Sequence, residues 1–453
     1  MEMAAPRIIS FSDLERWDVK YFLGQIESKY QLVSLAEFVV EHNEKIRPHD
    51  SPKETFKILG VNNTDGIFHA YDALGKEIKQ PYKKVRAGEF VYNPYRINVG
   101  SIGWVPLEHD GAYISPAYIV FSVDKTVVLP EMFWFILKAA FFNQTLRAAT
   151  AGSVRMNLTY PLLETLKIPI PPLPVQQKVV AYWEAAVAKA SLLEEQAKST
   201  IDESSRTFIH KLGLSMPKKQ EPEKVFSAQW KDFDRWSVSY NQAASTMMDF
   251  SKGKFPVVEL GAILDLVQYG TSEKTNLSGE GVGVIRMNSI VDGDLDLSNL
   301  KHLRVSKDIE ESLKLLNGDI LINRTNSKEL VGKCAVFDKN ETYIFASYLI
   351  RLRVAAEKSD PYFVAFAING PIGRQQINAL SRQIIGQANI NSQEIRSLKL
   401  PLPELNVQQK LIQKVIQARQ KTALLRTEAR ELLEKANITI EQMILGLRPV
   451  ESF

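Results

Sequence analysis

The sequence lacks the residues that build disulfide scaffolds and clustered metal sites. Among its 453 residues Cys334 is the single cysteine, and its six histidines include no pair at the three- or four-residue spacing of a helical zinc site. These shortages exclude a disulfide framework and a cysteine-rich metal centre. A lone cysteine also suits a reducing compartment.

Long hydrophobic runs are missing as well. The most apolar stretch, residues 127–142, is interrupted by Glu131 and Lys138 and is too short to span a bilayer. The first residues show no basic segment followed by an apolar one, so we expect no signal peptide, no membrane contact and a cytoplasmic location. The net charge of +4 permits nucleic-acid binding without demanding it.

Nucleotide-binding motifs are also absent from the sequence. There is no Walker A motif, and Gly281-Val282-Gly283 lacks the third glycine that would open a helix in a dinucleotide or S-adenosylmethionine loop. Asn93-Pro94-Tyr95 is similar to the Asn-Pro-Pro-Tyr loop of adenine methyltransferases, but the second proline is missing. A turn after a strand is the simpler interpretation of that tripeptide.

What the sequence does contain is a long internal repeat. Residues 166–180 read LKIPIPPLPVQQKVV, and residues 398–412 read LKLPLPELNVQQKLI. A weaker match precedes it, in which AGEFVYN at 87–93 aligns with NGDILIN at 317–323. The period is far too long for a solenoid and indicates two homologous halves of about 220 residues. Two copies of a module without a catalytic signature favour binding over catalysis.

Each half begins as a globular unit. Short alternating apolar runs such as Ala117–Phe121 and Tyr348–Leu352 predict strands. A helical stretch follows, near Glu131–Ala149 in the first half and Pro361–Leu380 in the second, and then a proline-rich joint. We therefore predict a mixed α/β fold for both units.

A long helix is predicted after each joint, at 174–213 and at 405–446. Its apolar or small residues alternate at steps of three and four, the spacing of a coiled coil. The predicted helix–helix and partner seam consists of Val179, Trp183, Leu193, Phe208, Leu411, Val415, Leu425, Leu432 and Ile440. Gly213 and Gly446 are expected to end the helices. Two ordinary core helices are the alternative interpretation.

These features divide the chain into six predicted segments. They are a first globular unit at 1–173, a first long helix at 174–213, a hinge at 214–225, a second globular unit at 226–404, a second long helix at 405–446 and a tail at 447–453.

Polar loops of the globular units are the candidates for reading DNA bases, because Arg and Lys suit guanine while Asn and Gln suit adenine. The candidates in the first half are Lys83, Lys84, Arg86, Asn93, Tyr95, Arg96, Ser153, Arg155 and Asn157. Those in the second half are Arg286, Asn288, Asn323, Arg324, Asn326, Lys328, Gln387, Asn389 and Asn391. For each of these residues the alternative is an ordinary solvated surface loop. A basic side chain can also contact phosphate alone, which positions the protein on DNA without specifying the sequence.

The repeated joint followed by Gln-Gln-Lys at the start of a heptad helix resembles the specificity (S) subunit of type I restriction–modification systems. The resemblance covers essentially the whole chain and is carried by Leu166–Lys178 and Leu398–Lys410. It implies two homologous target recognition domains of mixed α/β fold. They would be separated by two long helices that form an antiparallel coiled coil, with pseudo-twofold symmetry.

The same resemblance implies a function. Each domain would read one half of a split site on double-stranded DNA, and the helices would set the spacing and dock two methyltransferase (M) subunits. Two restriction (R) subunits would join. S-adenosylmethionine, ATP and Mg would be held by these partners, and this chain would catalyse nothing. Two alternatives remain open: a stand-alone adenine methyltransferase or nuclease, and a coiled-coil scaffold without a DNA role.

Overall fold

The computed structural model describes residues 26–63, 66–97, 100–149, 157–216, 237–238, 240–241, 247–276, 279–384 and 387–450. The chain divides into two compact units. The first takes in the described residues up to Leu193 and from Thr427 onward, and the second those from Glu194 to Arg426. None of the helices in the described ranges combines the length and the apolar composition needed to cross a membrane.

The first unit is built of small sheets and three short helices. Its strands are β1 (Leu32–Ser34), β2 (Val39–His42), β3 (Lys45–Ile46), β4 (Thr55–Val61), β5 (Ile67–Leu74), β6 (Tyr82–Lys84), β7 (Phe90–Tyr92), β8 (Ile102–Trp104), β9 (Tyr113–Ile114), β10 (Ile119–Val123) and β11 (Lys167–Pro169). Its helices are α1 (Pro130–Lys138), α2 (Ala140–Ala149), α3 (Tyr160–Glu164) and the start of the long helix α4 (Leu173–Lys211). The sheets have the orders β3-β6-β9-β4-β5, β2-β10-β7-β8 and β1-β11.

The second unit contains counterparts of several of these elements together with further strands. Its strands are β12 (Val257–Glu259), β13 (Leu264–Tyr269), β14 (Val282–Ile285), β15 (Ile290–Val291), β16 (Asp294–Leu295), β17 (Lys301–Leu303), β18 (Ile320–Asn323), β19 (Thr325–Asn326), β20 (Cys334–Val336), β21 (Tyr343–Phe345), β22 (Leu349–Val354), β23 (Arg382–Ile384), β24 (Gln387–Asn389) and β25 (Lys399–Pro401). Its helices are α5 (Lys307–Leu313), α6 (Pro361–Asn369), α7 (Pro371–Leu380), α8 (Ser392–Arg396) and the start of the long helix α9 (Leu405–Ile444).

The sequence repeat is a repeat of topology. The sheet β2-β10-β7-β8 has its counterpart in β13-β22-β18-β20, and the pair β1-β11 in β12-β25. The parallel pair of β4 with β9 returns as β14 with β21. Helices α1 and α2 likewise match α6 and α7. This confirms the prediction of two homologous units of mixed α/β fold.

In each unit the four-stranded sheet packs against the helix pair that follows it. In the first, the rings of Phe90 and Phe121 on the sheet lie 5.1 and 6.0 Å from the ring of Phe133 on α1, both edge to face. In the second, Ile320 and Phe363 are fully buried in the same core. These cores fix the ends of the strands, where the polar loops begin.

The helical stretch predicted as one segment is two helices in both units. In the second unit Pro371 starts α7, because it lacks an amide hydrogen and forces extended backbone at Gly370. In the first unit Ala139 is extended without a proline. There the amide of Phe141 donates to the carboxylate of Glu441 on α9 at 3.1 Å, which satisfies an amide in the first turn of α2.

The two long helices pack antiparallel. In the first unit Val179, near the start of α4, shares a core with Ile440, near the end of α9. In the second unit Phe208, near the end of α4, shares a core with Val415, near the start of α9. All the predicted seam residues are buried or half-buried. The hydroxyl of Thr422 donates to the carbonyl oxygen of Ala197 across the seam at 3.2 Å.

Both long helices end at a glycine in the left-handed conformation. Gly213 has φ +78° and Gly446 has φ +70°. The amide of Leu214 donates to the carbonyl of Ile209 at 3.1 Å, and the amide of Leu447 to that of Gln442 at 2.9 Å. These are Schellman closures, which only glycine makes without strain.

Candidate nucleic-acid interface

Several of the predicted base-reading residues lie at the same strand end in both units. Asn93 follows β7, and Asn323 is the last residue of the matching strand β18. Beside each lies a tyrosine that immediately precedes the neighbouring strand, Tyr118 before β10 and Tyr348 before β22. The fold therefore presents one equivalent surface per unit.

In the first unit this surface is an open cleft of about 410 Å³. Its polar lining includes Asn62, Asn63, Asn93, Arg96 and Tyr118. The side chain of Asn93 accepts a hydrogen bond from the amide two residues on at 3.0 Å, which holds the turn. Arg96 is exposed. The cleft thus combines amide groups, a guanidinium and a phenol, which suit the edges of bases.

Two further candidates border this cleft. Tyr95 is 60% exposed on the same turn. Asn157 is half-buried beside that turn, because the next amide, of Leu158, donates to the carbonyl oxygen of Pro94 at 2.9 Å. Ser153 and Arg155 lie outside the described residues.

In the second unit a short β-ribbon brings distant candidates together. Strand β19 pairs with β24, so that Asn326 lies opposite Ala388 and Thr325 opposite Asn389. Gln387 is exposed at the end of the ribbon. The guanidinium of Arg324 lies 5.0 Å from the centre of the Tyr269 ring, a cation–π contact.

The loop between β14 and β15 joins the same patch. The side-chain amide of Asn323 donates to the carbonyl oxygen of Met287 at 3.4 Å. Asn288 is exposed, and Arg286 is half-buried, with one guanidinium nitrogen 3.4 Å from the carbonyl oxygen of Asn299. Asn323 itself is buried, with 1% of its surface exposed. Residues 286–288, 324–326 and 387–389, with Asn323 beneath them, therefore form one surface, which we call the second reading patch.

This patch contains buried polar atoms whose bonding is incomplete. Within the described chain, the Nε atoms of Arg286 and Arg324 and the Oδ1 atom of Asn323 have no hydrogen-bond partner. A buried polar group without a partner costs about 1–3 kcal/mol. Three such atoms at one place indicate a surface whose hydrogen bonds are completed by a ligand or by water.

The side chains of two other candidates form hydrogen bonds with the backbone of their own unit. The ammonium group of Lys83 is buried, donates to the carbonyl oxygen of Tyr118 at 2.9 Å, and has a pKa lowered by that burial. The side chain of Asn391 caps α8 by accepting from two backbone amides at 2.9 Å. Because these groups are already bonded within the fold, neither residue belongs to the proposed contact surfaces.

The remaining candidates lie outside the cleft and the second reading patch. Arg86 is exposed and pairs with Glu44 at 3.0 Å, and Lys84 is half-buried on β6. Lys328 is exposed, and its backbone carbonyl accepts from Arg374 at 3.2 Å.

Sequence reasoning missed several residues of these surfaces. Asn62 and Asn63 follow β4, which lies between β5 and β9 in its sheet, and the parallel pairing with β9 joins strands that are far apart in sequence. Tyr118 and Tyr348 did carry a signal, because they occupy matched positions of the repeat. Each is a tyrosine directly before a buried strand, and its recurrence in both halves is the signal that identifies the pair.

The two homologous α/β units each have a polar surface at the same strand end. Each unit also contains the start of one long helix and the end of the other. This arrangement defines a protein with a duplicated recognition module. The chain belongs to the family of the type I restriction modification DNA specificity domain, whose family model matches residues 30–203 and 252–435.

Individual relatives agree with that family. The type I restriction enzyme MjaX specificity subunit of Methanocaldococcus jannaschii is 28% identical over 162 residues, 35% of this chain and 38% of that protein. The type I restriction enzyme EcoKI specificity subunit of Escherichia coli K12 is 24% identical over 284 residues, 62% of this chain and 56% of that protein. The matched region thus spans about 38–56% of these relatives.

A solved chain from structural work on complex assembly and conformational transition of the type I R-M system has the same fold. It aligns with a TM-score of 0.53 at 16% identity, covering 93% of this chain and 97% of its own length.

Proposed function

We propose that this protein is the DNA specificity subunit of a type I restriction–modification complex and that it reads a bipartite site, one half per globular unit. The observation that carries the proposal is the placement of polar side chains at the same strand end of two homologous units. In this proposal residues 1–173 and 226–404 are the recognition domains, 174–213 and 405–446 the spacer helices, 214–225 the hinge and 447–453 the tail.

The two surfaces differ in their chemistry, as two different half-sites require. Among the described residues, the cleft of the first unit combines its amide groups with one guanidinium, that of Arg96, whereas the second reading patch combines several amide groups with two guanidiniums, those of Arg286 and Arg324. Amides suit adenine and guanidinium groups suit guanine. The small net charge of +4 fits a subunit whose partners share the phosphate contacts.

The long helices are the proposed docking sites for two methyltransferase subunits. Leu192 on α4 is 58% exposed and Leu424 on α9 is 72% exposed. They are matched positions of the repeat, each directly before a seam leucine. A large apolar side chain exposed to solvent at matched positions of both halves favours the binding of two copies of one partner.

In this proposal chemistry belongs to the partners. The methyltransferase subunits bind S-adenosylmethionine, two restriction subunits add ATP- and Mg-dependent steps, and this chain catalyses nothing. The complex acts on cellular DNA in the cytoplasm.

Methylation-sensitive long-read sequencing tests the proposal. The chain is expressed with its methyltransferase partner in a host without such a system, and DNA is compared with and without this chain. We expect a split motif with a methylated adenine in each half. Arg96→Ala should change one half of the motif and Arg324→Ala the other, with the exposed Lys421→Ala as a control that changes neither.

Two results would replace the proposal. Methylation or cleavage of DNA by the purified chain alone would establish a stand-alone enzyme. An unchanged motif after charge reversal at both Arg96 and Arg324, or no motif at all beside a co-purifying methyltransferase, would favour a scaffold.

A further inference from the structure

A hairpin of the second unit has acidic residues at its tip and contacts the long helix α9. Strands β15 and β16 are joined by Asp292 and Gly293, which have φ +50° and +85°. Asp-Gly at positive φ is the sequence of a tight two-residue hairpin. Asp294 follows, so two carboxylates stand at the tip. DNA phosphates would repel such a tip, so it is unsuited to contacts with the DNA backbone.

The structure instead pairs this tip with arginines of α9. Arg419 donates to the carbonyl oxygen of Asp292 at 2.8 Å and to that of Gly293 at 3.5 Å, and it pairs with the carboxylate of Asp294 at 3.3 Å. Arg426 lies 3.6 Å from the carboxylate of Asp292. An isolated exposed ion pair contributes little. Here one guanidinium also holds two backbone carbonyls, which fixes the direction of the hairpin.

The contact is tightly fitted. A Cβ atom placed on Gly293 would lie 2.1 Å from a guanidinium nitrogen of Arg419. A methyl group on Gly293 would therefore displace the guanidinium of Arg419 from the hairpin backbone.

The hairpin continues directly from the loop that contains Arg286 and Asn288. One end of that loop is held by Asn323, through its bond to the carbonyl of Met287. The other end runs into β15 and so into the contact with Arg419. We infer that Arg419 is a positioning residue for base reading: it anchors the hairpin and thereby sets the orientation of residues 286–288. This inference rests on the proposed function.

The repeat does not preserve Arg419. The matched position of the repeat on α4 is Val187, which has no group to donate. The first unit therefore has no equivalent of this guanidinium at that position. Disturbing Arg419 should consequently affect one half-site and spare the other, which a general loss of stability would not do.

The test uses the full chain in its complex with the methyltransferase and DNA carrying one altered base in either half-site. The variants are Arg419→Glu, the double variant Arg419→Glu with Asp294→Lys, and Gly293→Ala, which disturbs the contact from the hairpin side. Lys421→Ala, an exposed lysine of the same helix, is the control.

We expect Arg419→Glu and Gly293→Ala to reduce discrimination against a wrong base about tenfold in the half read by the second unit, since one well-placed base contact gives a factor of this order. Discrimination in the other half should stay as in the wild type. The double variant should regain part of the loss. Lys421→Ala should behave as wild type.

Unchanged discrimination in Arg419→Glu, or equal loss in both halves, would overturn the anchor while leaving the proposed function in place. A wild-type complex without any bipartite motif would overturn the proposed function, and the anchor with it.

Discussion

Replacing the first glutamine of either Gln-Gln pair with alanine should strongly destabilise the chain. Gln176 is fully buried at the start of α4, where its side-chain amide donates to the carbonyls of Pro171 and Val127 at 2.8 and 2.9 Å. Its oxygen accepts from the amide of Leu129 at 2.8 Å. One side chain thus ties the joint, the helix and the loop after β10 together.

Gln408 does the same in the second unit. Its amide donates to the carbonyls of Pro403 and Lys358 at 2.8 and 3.1 Å, and its oxygen accepts from the amide of Asp360 at 3.0 Å. In both units truncation leaves three backbone groups without a partner. At about 1–3 kcal/mol for each such group the sum is about 3–9 kcal/mol. Because single substitutions rarely cost more than about 5 kcal/mol, Gln176→Ala or Gln408→Ala should lower the free energy of unfolding by roughly 3–5 kcal/mol.

Urea and thermal unfolding of the purified chain, followed by circular dichroism, measure this loss. A unit of this size loses about 2–4 °C in Tm per kcal/mol, so a fall of roughly 6–20 °C is expected. The neighbouring Gln177 and Gln409 are exposed, and their alanine variants are matched controls expected to stay within about 0.5 kcal/mol of wild type. A buried variant as stable as its control would refute the reasoning.

Two further predictions concern charge and partner binding. Burial raises the pKa of Glu89, so the folded chain holds this proton more tightly and loses stability as pH rises above the unfolded value of about 4.3. Glu89→Gln should therefore gain in Tm relative to wild type between pH 4 and pH 7, and a difference that does not depend on pH would contradict this. Leu192→Glu and Leu424→Glu should each weaken methyltransferase binding about tenfold or more in titration calorimetry. Ile438→Glu is the control, because Ile438 is 60% exposed but its repeat counterpart is Arg206; equal weakening by the control would count against these docking faces.

The heptad seam was predictable because its period alone decides which side chains face the partner helix. Residues as far apart as Val179 and Phe208 follow from that rule. The cap formed by Asn391 also had a local signal, since Asn391 and Glu394 have capping-box spacing.

The burial of Lys83 had no such signal. In a three-residue strand, alternation says that Lys83 and Lys84 face opposite sides without saying which side is inside. The pairing of β19 with β24 was equally hidden, because short strands far apart in sequence find each other through tertiary packing. Nothing in the sequence therefore joins Asn389 and Asn326 into one surface.

The way the long helices are shared between the units has a consequence for biosynthesis. The bond between Phe141 and Glu441 joins residues 300 positions apart. The first unit therefore cannot complete its core while the ribosome is still making the second unit. During that time the apolar stripe at the start of α4 has no α9 to pack against. Contacts of such long sequence separation form slowly and leave apolar surface open to aggregation in the meantime. We expect the nascent first unit to depend on chaperones until α9 has been released.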